Sequence, residues 1–432
     1  MNGRFIEYLV GGLIAVVFGL MVLHAPIIIY FGTIFPGLAL EIKSWKEILM
    51  IIIGTLLIIE LIRKKRWPEV VKDKLFWLII AFFFIHILSY LIFSIDPRAY
   101  MAGLAIDLRY LLFFSLCYVF VLLYPSWQRR FLYIAVAGAV VVLGFGVLQL
   151  FLPRDILMLI GYSKDTIAPY GTVDRNYDFI RIISTMRGPN PLGAYAASAV
   201  VIGFAYLLSR GKTTLRDFNS RLALGIIAAG FVCLWFSYSR SALVAAAIGV
   251  LSVFIIVFRN KITAKYWIAS AVLAIILVSL LFVFRSSYFV SNVLLHEDPA
   301  EGGSIDSNQA HVESLADGIR RMLEQPLGAG VGSTGSASLM SNTPLIIENQ
   351  YLFTAHEVGW LGLALFLVIS YFVLKRLYGR KDWWSIGLFA SGIALALIGV
   401  LLPVWVDDTV SIIWWGLVGV VLARKVSYGK AN

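Results

Sequence analysis

The chain has 432 residues, of which 60% are apolar and only 14% charged, and its formal net charge is +11. A soluble domain is about 45–50% apolar and about 25% charged, so this composition excludes a soluble globular enzyme, a disordered chain and a coiled coil. Apolar runs of about 20 residues also exclude an outer-membrane barrel, whose strands are short and alternating.

One membrane helix takes about 20 apolar residues, which allows roughly a dozen spans here. The runs that read as spans are 6–30, 47–62, 75–95, 104–124, 131–152, 190–208, 222–237, 241–258, 267–285, 349–374, 385–403 and 410–423. The expectation is an all-α polytopic integral membrane protein of about 12 transmembrane helices, forming a single membrane domain over 1–432. The first run is too long for a signal-peptide core and has no small-residue cleavage site, so it reads as a retained helix. Cys117 and Cys233 lie inside apolar runs and read as small core residues.

With the N-terminus in the cytoplasm, the cytoplasmic segments hold 23 of the 36 Lys and Arg residues. That asymmetry predicts both termini inside the cell and assigns the positive charge to membrane topology rather than nucleic acid. It also leaves two long connections outside, 153–190 and 286–348. Long connections in compact proteins are usually functional, so the work of the chain is expected on the external face.

The first external connection opens with a short helical stretch, Arg154 to Gly161. It passes Tyr170, Tyr177 and Arg181, then reaches Arg187-Gly-Pro-Asn-Pro-Leu-Gly193, where Pro189 and Pro191 delay the next helix. Arg181 and Arg187 stand at the membrane rim, where an Arg commonly snorkels to headgroups. Arg240, in a turn between two spans with almost no loop around it, is expected to have a partner, a wet cavity or an anionic ligand.

The second connection contains an amphipathic helix over about 307–325, opened by the capping-box pattern Asp306-Ser-Asn-Gln309 and ended by Pro326. His311, Val312, Leu315, Ala316, Ile319, Met322 and Leu323 form its apolar stripe, with His311 on the flank, and the stripe is expected to face the membrane domain. Gly330-Val-Gly-Ser-Thr-Gly335 fits a dinucleotide fingerprint letter by letter, but no strand precedes it and no βαβ unit surrounds it. It reads instead as a flexible turn with free backbone N–H groups. Glu348 comes at the rim, and Glu357 lies about two and a half turns deeper, where an intramembrane carboxylate is a functional candidate by default. Asp107 and Arg109 read as a pair or as support for a site. Asp407 and Asp408, with Glu297, Asp298, Glu301 and Asp306, are a weak divalent-cation candidate.

These pieces, in this order, resemble the O-antigen ligase and O-antigen polymerase family of membrane glycosyltransferases. The matching segments are Asp107-Leu-Arg-Tyr-Leu-Leu, Arg181-Ile-Ile-Ser-Thr leading to Gly188-Pro-Asn-Pro-Leu-Gly, Ser239-Arg-Ser-Ala-Leu, and His311 through Pro326-Leu-Gly-Ala-Gly-Val-Gly. The last is Glu348-Asn-Gln-Tyr-Leu with Glu357-Val-Gly-Trp-Leu-Gly. The resemblance implies transfer of a glycan from a polyprenyl diphosphate, usually undecaprenyl diphosphate, to an acceptor hydroxyl outside the cytoplasmic membrane. It implies inversion at the anomeric centre, with neither metal, nucleotide sugar nor other cofactor. By motif, Arg181 and Arg240 match the family's arginines, and Arg109 and Arg187 join them as diphosphate-binding candidates. The ligases carry His where this chain has Glu348 and commonly Arg where it has His311, so the resemblance leans to a polymerase over a ligase.

The chemistry agrees with that reading. A diphosphate leaving group gains charge on its bridging oxygen as the glycosidic bond breaks, and Arg binds it bidentately. The acceptor hydroxyl needs a general base within hydrogen-bond reach, for which Glu348 or His311 serves. Asn190, Tyr351 and Glu357 are supporting candidates. A transporter or flippase for a lipid-linked or anionic substrate is the rival from another class. It would place charges near mid-membrane in broken helices rather than at the rim.

Overall fold

The computed structural model describes residues 3–173, 176–210, 217–259, 283–284, 287–288, 290–291 and 307–423. Among them, eight helices are long and apolar enough to cross a membrane. They are α1 (Gly3–Met21), α6 (Lys74–Ile92), α7 (Pro97–Leu123), α8 (Gln128–Gln149), α9 (Pro189–Ser209), α10 (Phe218–Phe236), α11 (Arg240–Phe258) and α14 (Gln350–Tyr378). The apolar helices α2 (His24–Ile34), α15 (Trp383–Ile398) and α16 (Asp408–Leu422) are shorter. α4 (Trp45–Arg63) is long and apolar but carries Lys46, Glu47, Glu60 and Arg63. Short helices α3 (Ala39–Lys43) and α5 (Trp67–Val71) flank it. The run 267–285 falls almost wholly outside the described residues.

The first apolar run is two helices rather than one. Pro26 has no N–H, and its ring clashes with the carbonyl four residues back, at Val22. The backbone accordingly leaves the helix at Leu23 (φ −109°, ψ 10°). The Met21 carbonyl left over by the break accepts a hydrogen bond from the Thr409 hydroxyl at 3.2 Å. The break delivers His24 to the start of α16.

α7 and α16 form the central pair. Gly416 and Gly419 let them touch, since a Cβ at these positions would lie 2.5 Å from the Phe113 ring and 2.4 Å from the Phe114 carbonyl oxygen. Small residues permit this approach in a membrane bundle, where close van der Waals packing replaces the hydrophobic drive. A second group surrounds α9, which packs on α10, α11 and α15.

Alternate connections gather at opposite ends of the bundle. At one end, closed ion pairs and caps fasten the helices. Arg63 forks onto Glu60 at 2.7 and 2.8 Å, and Arg376 forks onto Asp73 at 2.5 and 2.7 Å. Arg66 caps the Leu122 carbonyl, and Arg380 caps those of Val421 and Leu422, so basic groups satisfy the orphan carbonyls of helix C-termini.

The other end carries the two long connections. The first holds a 3-10 turn at Ile156–Ile160, then an antiparallel hairpin, β1 (Gly171–Val173) with β2 (Asn176–Arg181), in which Gly171 pairs with Arg181. The sequence reading did not foresee this hairpin. The second holds α12 (Ser307–Glu324) and the short α13 (Gly335–Ser338). Asp306, the expected cap of α12, and the acidic residues Glu297, Asp298 and Glu301 lie outside the described residues.

α12 packs through a face rotated from the expected one, which, among the described residues of the apolar stripe, keeps only Met322 inward. Ser314, Gly318 and Met322 turn inward, and a Cβ on Gly318 would lie 2.9 Å from Leu352. Val312 and Leu323 on the apolar stripe are 65% and 61% exposed. The small residues permit the closest approach to α14, so most of the stripe is left on the outside, as in a helix that lies in a membrane interface.

Candidate functional site

The glycine-rich segment after α12 is docked rather than free. α14 breaks at Val358 (φ −125°, ψ 16°) and Gly359 (φ 69°, ψ −173°). The segment fills that break. Ala329 N–H donates to the His356 carbonyl at 2.6 Å, Gly330 N–H to the Glu357 carbonyl at 3.1 Å, and Trp360 N–H to the Pro326 carbonyl at 2.9 Å. Gly332 N–H donates to Glu357 Oε1 at 3.0 Å. The acidic group this segment touches is therefore an internal carboxyl. Gly332 needs its left-handed φ of +87°, and a Cβ there would lie 2.3 Å from the Ala99 carbonyl oxygen.

Asp107 and Arg109 do not pair. Two positions apart on α7, they point to different sides. Asp107 faces His86, at 3.7 Å, and the Glu357 carboxyl. Arg109 instead donates to the Val406 carbonyl and lies 3.5 Å from Asp408 and 3.8 Å from Glu47.

Arg181 ends β2 and is held on both sides. Its Nε donates to the Ser237 carbonyl at 2.7 Å, and its terminal nitrogen donates to Asn190 Oδ1 at 2.6 Å. The following residue is tied to the same turn, since Ile182 N–H donates to the Phe236 carbonyl at 3.1 Å. Gln149 then receives the Ile183 and Ser184 N–H groups at 3.2 and 2.8 Å. The turn that holds Arg181 is the Ser237–Ser239 turn opening α11, whose first residue is the half-buried Arg240. Tyr238 in that turn has φ +47°, a conformation costly for a non-glycine residue. Arg181 and Arg240, 59 positions apart, are thus brought to one turn.

Arg187 reaches a different partner. Its guanidinium lies 3.7 Å from Asp408 Oδ1. Asp408, the first residue of α16, is also 3.0 Å from His24 Nε2, 3.3 Å from Lys46 Nζ and 3.5 Å from Arg109. Trp45 Nε1–H donates to His24 Nδ1 at 3.0 Å. Because an indole only donates, Nδ1 must accept, so Nε2 carries the proton and donates to Asp408. Asp407 Oδ1 caps α16 by accepting from the Val410 N–H at 2.9 Å. The weak divalent-cation reading of Asp407 and Asp408 gives way to this one. Basic side chains hold Asp408, and the helix cap holds Asp407. His24 and Lys46 were not legible as site residues, since nothing in their spacing points to Asp408, 384 and 362 positions away.

Glu348 sits half-buried, one residue before the Asn349 cap of α14. Its N–H meets Ser314 Oγ of α12 at 3.4 Å. Asn349 Nδ2 donates to the Val400 carbonyl at 2.6 Å, and Gln350 Oε1 accepts from Trp405 N–H at 2.9 Å. The segment 399–406 therefore links the rim at Glu348 to Val406, Arg109 and Asp408. Tyr351 donates its hydroxyl to the Ala396 carbonyl at 2.8 Å and joins α14 to α15, so its hydroxyl serves packing. His311 belongs to α12, but its side chain lies outside the described residues.

An apolar cavity of about 330 Å³ lies between α8, α9, α10, α15 and α16, mostly toward the end opposite the site. Tyr195 and Val410 line it toward the site, and Arg129, Tyr206 and Trp383 line it toward the opposite end.

Comparison with curated proteins returns no match. The family model described as O-antigen ligase matches residues 223–367, about a third of the chain. That stretch includes Arg240, the glycine-rich segment, Glu348 and Glu357, whereas Arg109, Arg181, Arg187 and Asp408 lie outside it. With its set of membrane-length apolar helices, the chain is a multi-pass membrane protein whose residues 223–367 are similar to the O-antigen ligase family.

Proposed function

We propose that the protein is a membrane glycosyltransferase that moves a glycan from a polyprenyl diphosphate, of the undecaprenyl type, to an acceptor hydroxyl. The reaction takes place on the external face of the cytoplasmic membrane, and the chain crosses about twelve times with both termini inside. The observation that carries this reading is the gathering of Arg109, Arg181, Arg187 and Arg240 at the same end of the bundle as Glu348. Arginine is always charged and forks onto phosphate oxygens, so this end suits a diphosphate leaving group. The apolar cavity extends from the opposite end up to Val410, two residues from Asp408, and offers a lipid chain a path that leads toward the cations.

In this reading the arginines bind the diphosphate and stabilise the charge that develops as the glycosidic bond breaks. Glu348 takes the proton of the attacking hydroxyl, with His311 as the alternative base. Attack opposite the leaving group inverts the anomeric centre and requires no metal. Asn190 orients Arg181, and Glu357 holds the glycine-rich segment. Glu348 in place of the ligase His favours a polymerase, in which the acceptor is another carrier-linked glycan. A ligase acting on a surface acceptor is the second reading, favoured by the description of the matching family.

The test is purified protein in detergent with a polyprenyl-diphosphate glycan and separate acceptors. Longer glycan on the carrier supports the polymerase, and glycan on a lipid A-core-type acceptor supports the ligase. A transporter has no compartments to work between in detergent, so no product from any acceptor would overturn the enzyme reading.

A further inference from the structure

The ion pairs at the two ends of the bundle differ in kind. At the end opposite the site, Arg63 with Glu60 and Arg376 with Asp73 close at 2.5–2.8 Å, as forked charge-assisted hydrogen bonds do. Around Asp408 the cations stand off. Lys46 is at 3.3 Å, Arg109 at 3.5 Å and Arg187 at 3.7 Å, although Lys46, Arg109 and Asp408 are 2%, 6% and 2% exposed. Buried charges normally tighten their geometry to offset desolvation.

Hydrogen-bonding capacity also stays open there. Arg109 Nε, Asp408 Oδ1 and Glu47 Oε2 are buried without a hydrogen-bond partner among the described residues. Lys43, Lys46, Arg109 and Arg187 lie within electrostatic reach of one another, against the carboxyls of Asp407, Asp408 and Glu47, so the cluster carries surplus positive charge. Arg187, 34% exposed, forms its open side.

We propose that Lys46, Arg109 and Arg187 form a diphosphate seat in which Asp408 is a resident counter-ion, displaced from the cations when phosphate oxygens enter. His24, fixed as a donor by Trp45, retains Asp408 after displacement, so the carboxylate keeps one partner. A phosphate oxygen brings the cations to the shorter distances they lack now and occupies the Arg109 Nε–H. The seat stands on its own geometry. Only the assignment of its ligand to a glycan carrier rests on the glycosyltransferase reading.

The experiment is binding of inorganic diphosphate and of farnesyl diphosphate to the purified full chain in detergent, with no acceptor present. Diphosphate should bind wild type, and Arg187→Gln, at the open side, should weaken binding at least tenfold. Asp408→Asn keeps an acceptor for His24 and removes the competing charge, so it should bind diphosphate more tightly, by about tenfold. A purely structural Asp408 predicts the opposite, and unchanged or weaker binding in a folded Asp408→Asn protein overturns the proposal. Should that variant fail to fold, Arg187→Gln decides alone, and wild-type affinity there overturns it. Farnesyl diphosphate binding more tightly than diphosphate assigns the seat to a lipid-borne ligand, and the reverse assigns it to the free anion. A protein that binds diphosphate but transfers no glycan would sink the enzyme reading and leave the seat standing.

Discussion

Glu357 Oε1 accepts a hydrogen bond of 3.0 Å from the backbone N–H of Gly332, 25 residues earlier in the chain. Together with the backbone hydrogen bonds of Ala329, Gly330 and Trp360, this contact fixes the glycine-rich segment in the break of α14 and joins the second long connection to the membrane helices.

The contact predicts a graded response. Gly332→Ala places a methyl 2.3 Å from the Ala99 carbonyl oxygen and adds the cost of a left-handed conformation, about 1–2 kcal/mol for a non-glycine residue. Its melting temperature in detergent should fall by several degrees, whereas Gly225→Ala, with open space around it in α10, should leave it unchanged or raise it. Glu357→Ala leaves the buried Gly332 N–H without its acceptor, a loss of about 1–3 kcal/mol. Glu357→Gln keeps a carbonyl for Gly332 and turns an amide toward Asp107, so it should melt near wild type. If Glu357→Gln is as unstable as Glu357→Ala, the carboxyl does more than receive this hydrogen bond.

Arg181 answers to two acceptors at once, the Ser237 carbonyl and Asn190. Lys has no planar fork and meets one of them at most. Arg181→Ala should abolish glycan transfer while expression and membrane insertion persist, and Arg181→Lys should restore only a small part. Asn190→Ala should lower transfer less than Arg181→Ala, because the Ser237 contact remains. A normal transfer rate in Arg181→Ala would remove this residue from the donor site.

At the other end of the bundle, Asp73 provides a pH test. Burial raises its carboxyl pKa, but the Arg376 fork, the Leu75 N–H and Tyr118 together outweigh burial and hold it below the ordinary carboxylate value. A carboxylate with a depressed folded-state pKa adds stability above its unfolded pKa, about 3.9. That stability is lost as the pH falls through the lower folded value. Thermal melts of wild type and Asp73→Asn should therefore differ by a constant amount above about pH 5 and converge in more acid solution. A gap that persists unchanged well below pH 3 would show that packing, not charge, sets the difference.

The membrane class was legible because hydropathy acts over whole helices. Eight of the apolar runs appear as membrane-length helices among the described residues, and α12 is found where its amphipathic period places a helix. What sequence missed are breaks and long-range pairings. Pro26 splits the first run, yet a proline within a membrane helix is tolerated often enough that the pattern alone does not announce a break. An apolar stripe on a helix marks its packing face only where the alternative is water. Beside a bilayer, apolar residues have a second place to go. At the site, the arginines could be named from their motifs, but His24 and Lys46 meet Asp408 only through the tertiary arrangement of α2, α4 and α16.

The last prediction concerns the base. Glu348 precedes the cap of α14, at the rim, with its backbone bonded to Ser314 of α12 and its neighbours tied to the segment that leads to Arg109 and Asp408. In the proposed reaction this rim residue is the carboxylate that takes the proton of the hydroxyl nucleophile. Glu348→Gln keeps the shape and removes the basicity, so transfer should fall at least about 10²-fold. Farnesyl diphosphate binding should be unchanged, since the cations remain. His311→Ala, assayed beside it, separates the candidate on α12 from the one that precedes α14. Full activity in Glu348→Gln together with a dead His311→Ala would pass the role to His311 and leave Glu348 as a rim residue that orders the start of α14.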